Sequence, residues 1–266
     1  MKISLSVDQE ICKQCYACIS ECPFDLINLD KEGFPQLRKA AVKKCIRCGH
    51  CMAVCTADAL DITISPLAVS PSVDKNLLPA PESVEHFLMS RRSIRTYKKK
   101  VADHSTLETI LNVSRYAPSA HNGQPVHWLM VEDPEEVKRL AGMVVDWMIG
   151  LKVFPGLTRA WDKGVDKVLR GAPHLAISHA DPNESEHPIE DCTLATAYLD
   201  LAAYNHGLGS CWAGFLVQAI HHQYQPIIEA LNIPENHKVY TALMLGYPKF
   251  RYRHIPQRDA LKVTWK

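Results

Sequence analysis

The 266-residue sequence lacks long apolar runs, a strong excess of either charge and an N-terminal leader pattern. No run of about 18 apolar residues is present, so we expect no helix that spans a bilayer. The net charge is +1, and the first 65 residues carry eight basic and eight acidic side chains. This balance predicts no binding to nucleic acid or to an acidic membrane surface.

The start of the chain does not contain the apolar core of a signal peptide, because Met1–Ser4 leads within a few residues to Asp8 and Glu10. We therefore expect a cytoplasmic, reducing location. In that compartment cysteines are more often metal ligands than disulfide partners.

A complete dinucleotide-binding fingerprint is also missing. Gly207-Leu208-Gly209 begins like one, but Trp212 stands where the third glycine belongs, and no βαβ unit surrounds it. The sequence therefore predicts no dedicated NAD(P)-binding domain. It does not exclude NAD(P)H as a donor that stacks on another cofactor.

The most informative feature present is a repeated cysteine motif. Eight of the ten cysteines follow the spacing C-x2-C-x2-C-x3-C twice, and the segments after each set are similar. The first set is Cys12, Cys15, Cys18 and Cys22, and the second is Cys45, Cys48, Cys51 and Cys55. Each repeat predicts a short helix followed by a short strand. The stretch after them is proline-rich, which predicts an extended linker. We expect three segments: a cysteine domain over 1–65, a linker over 66–82 and a larger domain over 83–266.

In this spacing the fourth cysteine of each set ligates the cluster of the other set. The motif resembles the bacterial two-cluster ferredoxins over roughly residues 3–64. The resemblance implies two [4Fe–4S] clusters, one held by Cys12, Cys15, Cys18 and Cys55 and the other by Cys45, Cys48, Cys51 and Cys22. Pro23 follows Cys22 as the pattern requires, whereas Thr56 replaces the second proline. Two zinc knuckles or a disulfide scaffold are the alternatives, although zinc sites favour paired C-x2-C motifs at long intervals.

A second set of motifs lies in the larger domain. Arg91-Arg92-Ser93-Ile94-Arg95 combines guanidinium groups and a hydroxyl that suit a phosphate monoester. Three further segments follow at 117–125 (APSAHNGQP), 207–215 (GLGSCWAGF) and 245–248 (LGYP), with Arg258 beyond them. In this order the segments resemble the nitroreductase family over about residues 86–260.

The resemblance implies an α+β fold with a central mixed sheet flanked by helices, and a homodimer that binds FMN at the subunit interface. It implies phosphate contacts from Arg91, Ser93 and Arg258, and a cation near the flavin pyrimidine from Arg95. Pro118, Ser119 and Asn122 would reach the flavin of the partner subunit, and Ala213 and Gly214 would present N–H groups toward the flavin. Arg92 and Gln124 are further cofactor-binding candidates, with Arg92 able to point away from the phosphate. His121 is a candidate acid–base residue. Lys163 and Lys167 are unaligned candidates for a further flavin contact. Cys192 and Cys211 are expected to be small buried residues, and Cys211 lies near enough to the flavin segment for a redox role.

Local patterns predict the elements of this domain. Ser105 and Glu108 resemble a capping box at the start of a helix. Further helices are expected over 134–147 and 191–206, and strands over 126–132, 174–179 and 238–246. The segment 150–171 gives no prediction.

Together these motifs predict an FMN-dependent oxidoreductase whose two clusters exchange electrons with the flavin to reduce a nitroaromatic, quinone-like or related acceptor. The electrons would come from an external low-potential donor or from NAD(P)H. Two alternatives stay open: an electron-transfer subunit that docks a larger redox partner, and specialised flavin chemistry such as reductive dehalogenation.

Overall fold

A computed structural model describes residues 3–266, which divide into two compact units. The first unit ends at Pro79 and the second is Ala80–Lys266. Met1 and Lys2, the first residues of the predicted cysteine domain, lie outside the described residues. The proline-rich segment contains two single 3₁₀ turns, Leu67–Val69 and Lys75–Leu77. Pro81 and Glu82, which the sequence placed in the linker, are the first residues of helix α4.

The first unit consists of short elements around a small core. Its helices and strands are β1 (Leu5–Val7), α1 (Ala17–Ser20), β2 (Ile27–Leu29), β3 (Pro35–Leu37), α2 (Ala41–Lys44), α3 (His50–Ala53) and β4 (Leu60–Ile62). β1 pairs antiparallel with β4, and β2 pairs antiparallel with β3. The buried core is Ile3, Cys18, Ile27, Met52, Leu60 and Ile62. Because this core is so small, we expect bound cofactors to supply much of the unit's stability.

The sequence repeat is visible in the backbone of the first unit. Left-handed residues occur in three matched pairs, each separated by the same interval: Gln14 and Arg47, Tyr16 and Gly49, Asp25 and Asp58. The turn after each fourth cysteine is also the same, since Asp25 N–H donates to Cys22 O at 3.1 Å and Asp58 N–H donates to Cys55 O at 3.2 Å. Thr56 therefore replaces proline without altering the turn.

The second unit contains a four-stranded sheet with helices around it. The strands are β5 (His127–Val131), β6 (His174–Ala180), β7 (Gly209–Trp212) and β8 (Lys238–Gly246), in the order β5-β6-β8-β7. The helices are α4 (Pro81–Ser90), α5 (His104–Ser114), α6 (Pro134–Gly150), α7 (Pro155–Asp162), α8 (Pro188–Asn205), α9 (Gly214–His221) and α10 (Gln225–Leu231). β6 is buried along its whole length, as expected for a central strand.

The predicted strands and the two predicted long helices are confirmed. Asp133 caps α6 by accepting the Glu135 N–H at 3.0 Å. The capping-box prediction at Ser105 is wrong, because α5 begins at His104 and its N-cap residue is Asp103. The segment that gave no prediction contains α7.

The strands of the described four-stranded sheet pair antiparallel throughout, where the resemblance implied a mixed sheet. One parallel contact, an isolated bridge between Ser93 and Ser210, lies at the β7 edge. Ile94 N–H donates to Ser210 O at 2.7 Å. Gly209 permits this approach, since a Cβ there would lie 2.3 Å from Cγ1 of Ile94. The arginine-rich segment is therefore held along the β7 strand.

Three histidines form a cluster at the other end of the sheet. The Nδ1 atoms of His179 and His237 are 2.9 Å apart and share one hydrogen, and the ring of His127 packs against both. Burial and the two neighbouring imidazoles lower the pKa of His179 from 6.5 to about 4. The sequence gave no signal for this cluster, because its members are far apart along the chain.

The second unit is expected to lose stability on mild acidification. The folded state keeps His179 neutral, so the unfolded state binds more protons between pH 6.5 and about 4. The free energy of unfolding should therefore be fully retained above pH 6.5 and fall towards pH 4. Urea unfolding followed by tryptophan fluorescence tests this, because all five tryptophans are in the second unit. His179→Gln should flatten the profile, whereas His206→Gln, at an exposed histidine, should leave it unchanged; equal profiles in all three proteins would refute the assignment.

Candidate cofactor sites

The eight motif cysteines surround two pockets in the first unit. One pocket is lined by Cys12, Cys15, Cys18 and Cys55. The other is lined by Cys22, Cys45, Cys48 and Cys51. We call them the first and second cysteine pockets. Each combines three thiols of one motif with the fourth thiol of the other, which is the grouping that the sequence predicted.

The chemistry of the two pockets suits buried iron–sulfur clusters. Their remaining walls are largely apolar, and Leu26 N–H donates to Sγ of Cys22 at 3.3 Å. Such N–H···S bonds stabilise the charge of a reduced cluster. Burial raises the pKa of Cys18 and raises that of Cys51 to about 11, so these thiols need a bound cation to ionise. Among residues 3–266 no three His, Cys, Asp or Glu side chains are arranged to hold a single metal ion, whereas four thiols spread around a pocket match a polynuclear cluster.

In the second unit, Arg91 lies beside a buried acid. One of its Nη atoms is 3.3 Å from Oδ2 of Asp200, and Asp200 also accepts a short hydrogen bond from Oγ of Ser210. Asp200 is only 6% exposed. Burial raises the pKa of this carboxyl, while Ser210 and Arg91 act in the opposite direction. α8 and β7 therefore fix the first arginine of the predicted phosphate motif.

Two further cations lie near β7. Arg95 is exposed. Burial raises the pKa of Cys211 on β7, and the positive charges of Arg95, Arg170 and Arg91 lower it. Sequence reasoning missed Arg170, because it lies in the segment that gave no prediction. Asp166 builds the loop there by accepting the N–H groups of Val168, Leu169 and Gly171. The sequence signal for this loop was Asp166 followed five residues later by Gly171, because aspartate and glycine are common in turns.

Arg92 faces a different cavity from Arg91. It lines an open groove of about 610 Å³ between the body of the second unit and the start of the C-terminal tail. Among residues 3–266, those that line this groove include no acidic side chain and five full cations, namely Arg92, Lys98, Lys249, Arg251 and Arg253. Arg258, the predicted tail contact, is exposed and is not among the lining residues. In the C-terminal tail, Arg251 and Arg253 are therefore the arginines that line the same groove as Arg92 of the arginine motif.

The loop that contains Pro118, Ser119, Asn122 and Gln124 has an unusual backbone. His121, Asn122 and Gln124 are all left-handed, which is costly for residues other than glycine. Ser119 Oγ accepts the Gln124 N–H at 3.0 Å, and Asp191 Oδ1 accepts the Ala120 N–H at 2.9 Å. Asp191 lies in the first turn of α8 and is buried. Such restrained strain is common at ligand sites, and the acid–base role of His121 stays a prediction.

Ala213 and Gly214, which stay predicted N–H donors to the flavin, differ in their surroundings. The Ala213 N–H already donates to Ala242 O at 2.8 Å, and Ala213 is 2% exposed. Gly214 is the exposed first residue of α9, with open space around its Cα. The first amides of a helix have no intrahelical acceptor, so Gly214 is the better candidate to donate to a ligand. Lys163 and Lys167 are exposed, and Cys192 is buried, as the sequence predicted.

Within residues 3–266, no helix combines the length and apolar character needed to cross a bilayer.

Comparisons with known proteins match both units. Residues 88–247 match the model of the nitroreductase family, and residues 4–56 match that of a 4Fe-4S dicluster domain. A protein of Archaeoglobus fulgidus, provisionally assigned as an NADH dehydrogenase or NAD(P)H nitroreductase, is 33% identical over 166 residues, which cover 61% of this chain and 83% of that protein. The iodotyrosine deiodinase of Thermotoga neapolitana is 25% identical over 186 residues, covering 64% of this chain and 91% of the relative.

Among solved structures, the nitroreductase with bound FMN from Bacteroides fragilis is 26% identical, with a TM-score of 0.56 over 69% of this chain and 96% of that chain. These matches agree with the α+β architecture described above and with a small dicluster domain preceding it.

Proposed function

This chain belongs to the nitroreductase family, and from that membership we propose that it is an FMN-dependent oxidoreductase whose two [4Fe–4S] clusters supply electrons for reducing an organic acceptor. The observation that carries the proposal is the pair of cysteine pockets on the same chain as the nitroreductase domain. When bound, FMN links one-electron transfers from clusters to two-electron chemistry on an acceptor. The acceptor class is nitroaromatic or quinone-like.

The residues around β7 fit a flavin mononucleotide. Arg91 offers a guanidinium group to a phosphate, and the groove lined by Arg92 is the alternative phosphate site. Arg95 and Gly214 supply a cation and an N–H donor for the ring system. A cation near the pyrimidine ring stabilises negative charge on a reduced flavin.

A homodimer would complete this site. Arg91 contacts Asp200 near the end of α8, whereas the strained loop contacts Asp191 in the first turn of the same helix. The two aspartates are nine residues apart, which is about 13 Å along an α-helix. In addition, large apolar side chains are exposed on α4, α8 and the C-terminal tail, including Leu88, Ile189 and Trp265. A second copy that covers these side chains would bring its own loop to the flavin of the first.

The electron donor follows from the fused clusters. Because the chain has no dinucleotide fingerprint, a low-potential one-electron donor is the primary donor we propose, and NAD(P)H stacked on the flavin is the alternative. The similarity to an iodotyrosine deiodinase favours reductive dehalogenation as a second candidate reaction. Release of iodide from an iodophenol, measured beside nitroaromatic reduction, distinguishes the two.

Anaerobically purified protein is expected to contain about eight iron and eight sulfide atoms and one FMN per chain. Dithionite should bleach both the cluster and the flavin absorbance, and a nitroaromatic or a quinone should then restore them. NADH should bleach them more slowly than dithionite. Light scattering should give the mass of a dimer. Well-folded protein that contains clusters but binds no FMN would refute the proposal.

A further inference from the structure

Charge is segregated within the first unit, although its total is balanced. Residues 3–32 carry six acidic and two basic side chains, whereas residues 33–57 carry five basic side chains and no acidic one. The five cations are Arg38, Lys39, Lys43, Lys44 and Arg47, and all are exposed. We call them the cationic face.

Three residues of the cationic face are next to ligands of the second cysteine pocket along the chain. Lys43 and Lys44 belong to α2, directly before Cys45, and Arg47 lies between Cys45 and Cys48. The exposed His50 lines the pocket itself. Glu21 is the one carboxylate among the described residues that line this pocket.

The first cysteine pocket has different surroundings. Lys13 is the one cation among the described residues that line it. The chain that approaches Cys12 carries Asp8 and Glu10, and Asp58 follows Cys55. The chain next to Cys12 is therefore acidic and the chain next to Cys45 and Cys48 is basic, whereas the fourth cysteines, Cys22 and Cys55, are each followed by an aspartate.

We propose that the cationic face is the docking site for an acidic one-electron carrier protein, which reduces the cluster of the second pocket. In this step the carrier is oxidised by one electron and the cluster is reduced by one electron. The inference depends on the proposed function in one respect, namely that the second pocket holds a cluster.

Three observations favour this partner over other anions. Lys43, Lys44 and Arg47 are close in sequence to ligands of a predicted redox centre, and electron transfer requires close approach of donor and acceptor. Val42, which precedes Lys43 in α2, is 64% exposed, and an apolar side chain among charged ones is typical of a protein interface. Positive charge around the second pocket also steers an acidic protein there and raises its association rate.

The test uses the intact protein loaded with clusters and flavin, with reduced flavodoxin as the acidic one-electron donor and the methyl viologen radical cation as a donor of opposite charge. Stopped-flow measurements at low and high salt give the second-order rate constants. The variant is Lys43→Glu/Lys44→Glu. The matched control is Lys31→Glu/Lys75→Glu, which changes the same charge at exposed lysines of the same unit that lie outside the cationic face and line neither cysteine pocket. Iron and sulfide analysis verifies that each variant keeps both clusters.

We expect the Lys43→Glu/Lys44→Glu variant to react with flavodoxin at least about tenfold more slowly at low salt. Its reaction with methyl viologen should be as fast as, or faster than, that of the wild type. The wild-type rate with flavodoxin should fall as salt increases, and the matched control should stay within about threefold of it.

A flavodoxin rate that is unaffected by the double reversal, or equally reduced in the matched control, overturns the proposal. The proposal is also overturned if the Lys43→Glu/Lys44→Glu variant loses binding to nucleic acid while its rate constant with flavodoxin is unchanged. The cationic face would then bind a different polyanion. If flavodoxin reduces the clusters rapidly but no electrons reach flavin or acceptor, the docking proposal stands and the proposed function fails.

Discussion

Replacing Cys55 with alanine is expected to empty the first cysteine pocket, although Cys55 belongs to the second motif. The pocket is lined by Cys12, Cys15, Cys18 and Cys55, so the substitution removes one of four ligands from a cluster whose other three ligands lie about forty residues earlier. Iron content should fall from about eight to about four per chain, because a [4Fe–4S] cluster needs four ligands. Cys22→Ala should empty the second pocket in the same way.

Iron content alone does not show which cluster is lost, so thiol alkylation is needed. In Cys55→Ala, iodoacetamide should modify Cys12, Cys15 and Cys18, since these thiols are no longer bound to iron. Cys45, Cys48 and Cys51 should stay protected by the second cluster. Mass spectrometry identifies the modified residues. Cys211→Ala is the matched control, because it removes a thiol outside the motifs and should leave iron content and protection unchanged.

The opposite pattern would contradict the crossed grouping. If Cys55→Ala exposed Cys45, Cys48 and Cys51 and protected the first motif, each motif would hold its own cluster. Activity measured with reduced flavodoxin as the electron donor should also fall steeply in Cys55→Ala, because the proposed function routes electrons through both clusters. Full activity in protein that has lost four irons would remove the first cluster from the route.

Much of the first unit could be predicted because its information is local. The cysteine spacing repeats within a few dozen residues, and the paired left-handed positions such as Tyr16 and Gly49 reproduce that repeat in the backbone. The grouping of Cys22 and Cys55 with the other motif came from the known ligand pattern. The charge segregation was in the sequence too, but the equal totals of basic and acidic residues concealed it.

The second unit was less predictable where distant segments meet. The strands β5, β6 and β8 and the helix α6 have local patterns, so their predicted positions were confirmed, whereas β7 was not predicted. Asp200 and Asp191 had no such signal, because a carboxylate within an apolar helix acquires its role only from the segment that packs against it. Arg170 and the His127–His179–His237 cluster were missed for the same reason. The tail prediction fixed on Arg258, whereas the residues that line the groove with Arg92 are Arg251 and Arg253.

Arg91→Gln is expected to weaken FMN binding and to destabilise the apoprotein, for two separable reasons. Binding weakens because a charge-assisted hydrogen bond to the phosphate is lost, which should raise the dissociation constant of FMN by about 10- to 100-fold. Stability falls because Asp200, 6% exposed, keeps its charge without its ion-pair partner. We expect a loss of about 2 kcal/mol in the free energy of unfolding, below the range for fully buried pairs because Arg91 is partly exposed.

The stability loss should depend on pH in a defined direction. Burial already raises the pKa of Asp200, and removing Arg91 should raise it further. The folded state then binds more protons than the unfolded state above the ordinary aspartate range, so stability falls as pH rises. Arg91→Gln apoprotein should therefore be more stable relative to wild type at pH 5 than at pH 7. Arg115→Gln, at an exposed arginine of the same unit, should show neither effect.

The double variant Arg91→Gln/Asp200→Asn separates the two effects. It removes the unpaired charge, so the free energy of unfolding should return to within about 1 kcal/mol of wild type and lose its added pH dependence. FMN affinity should stay as weak as in Arg91→Gln, because the phosphate contact is still missing. Fluorescence titration with FMN beside urea unfolding of the apoprotein measures both quantities. If the double variant regained FMN affinity along with stability, Arg91 would act by balancing the charge of Asp200, and the phosphate would be bound by the groove cations alone.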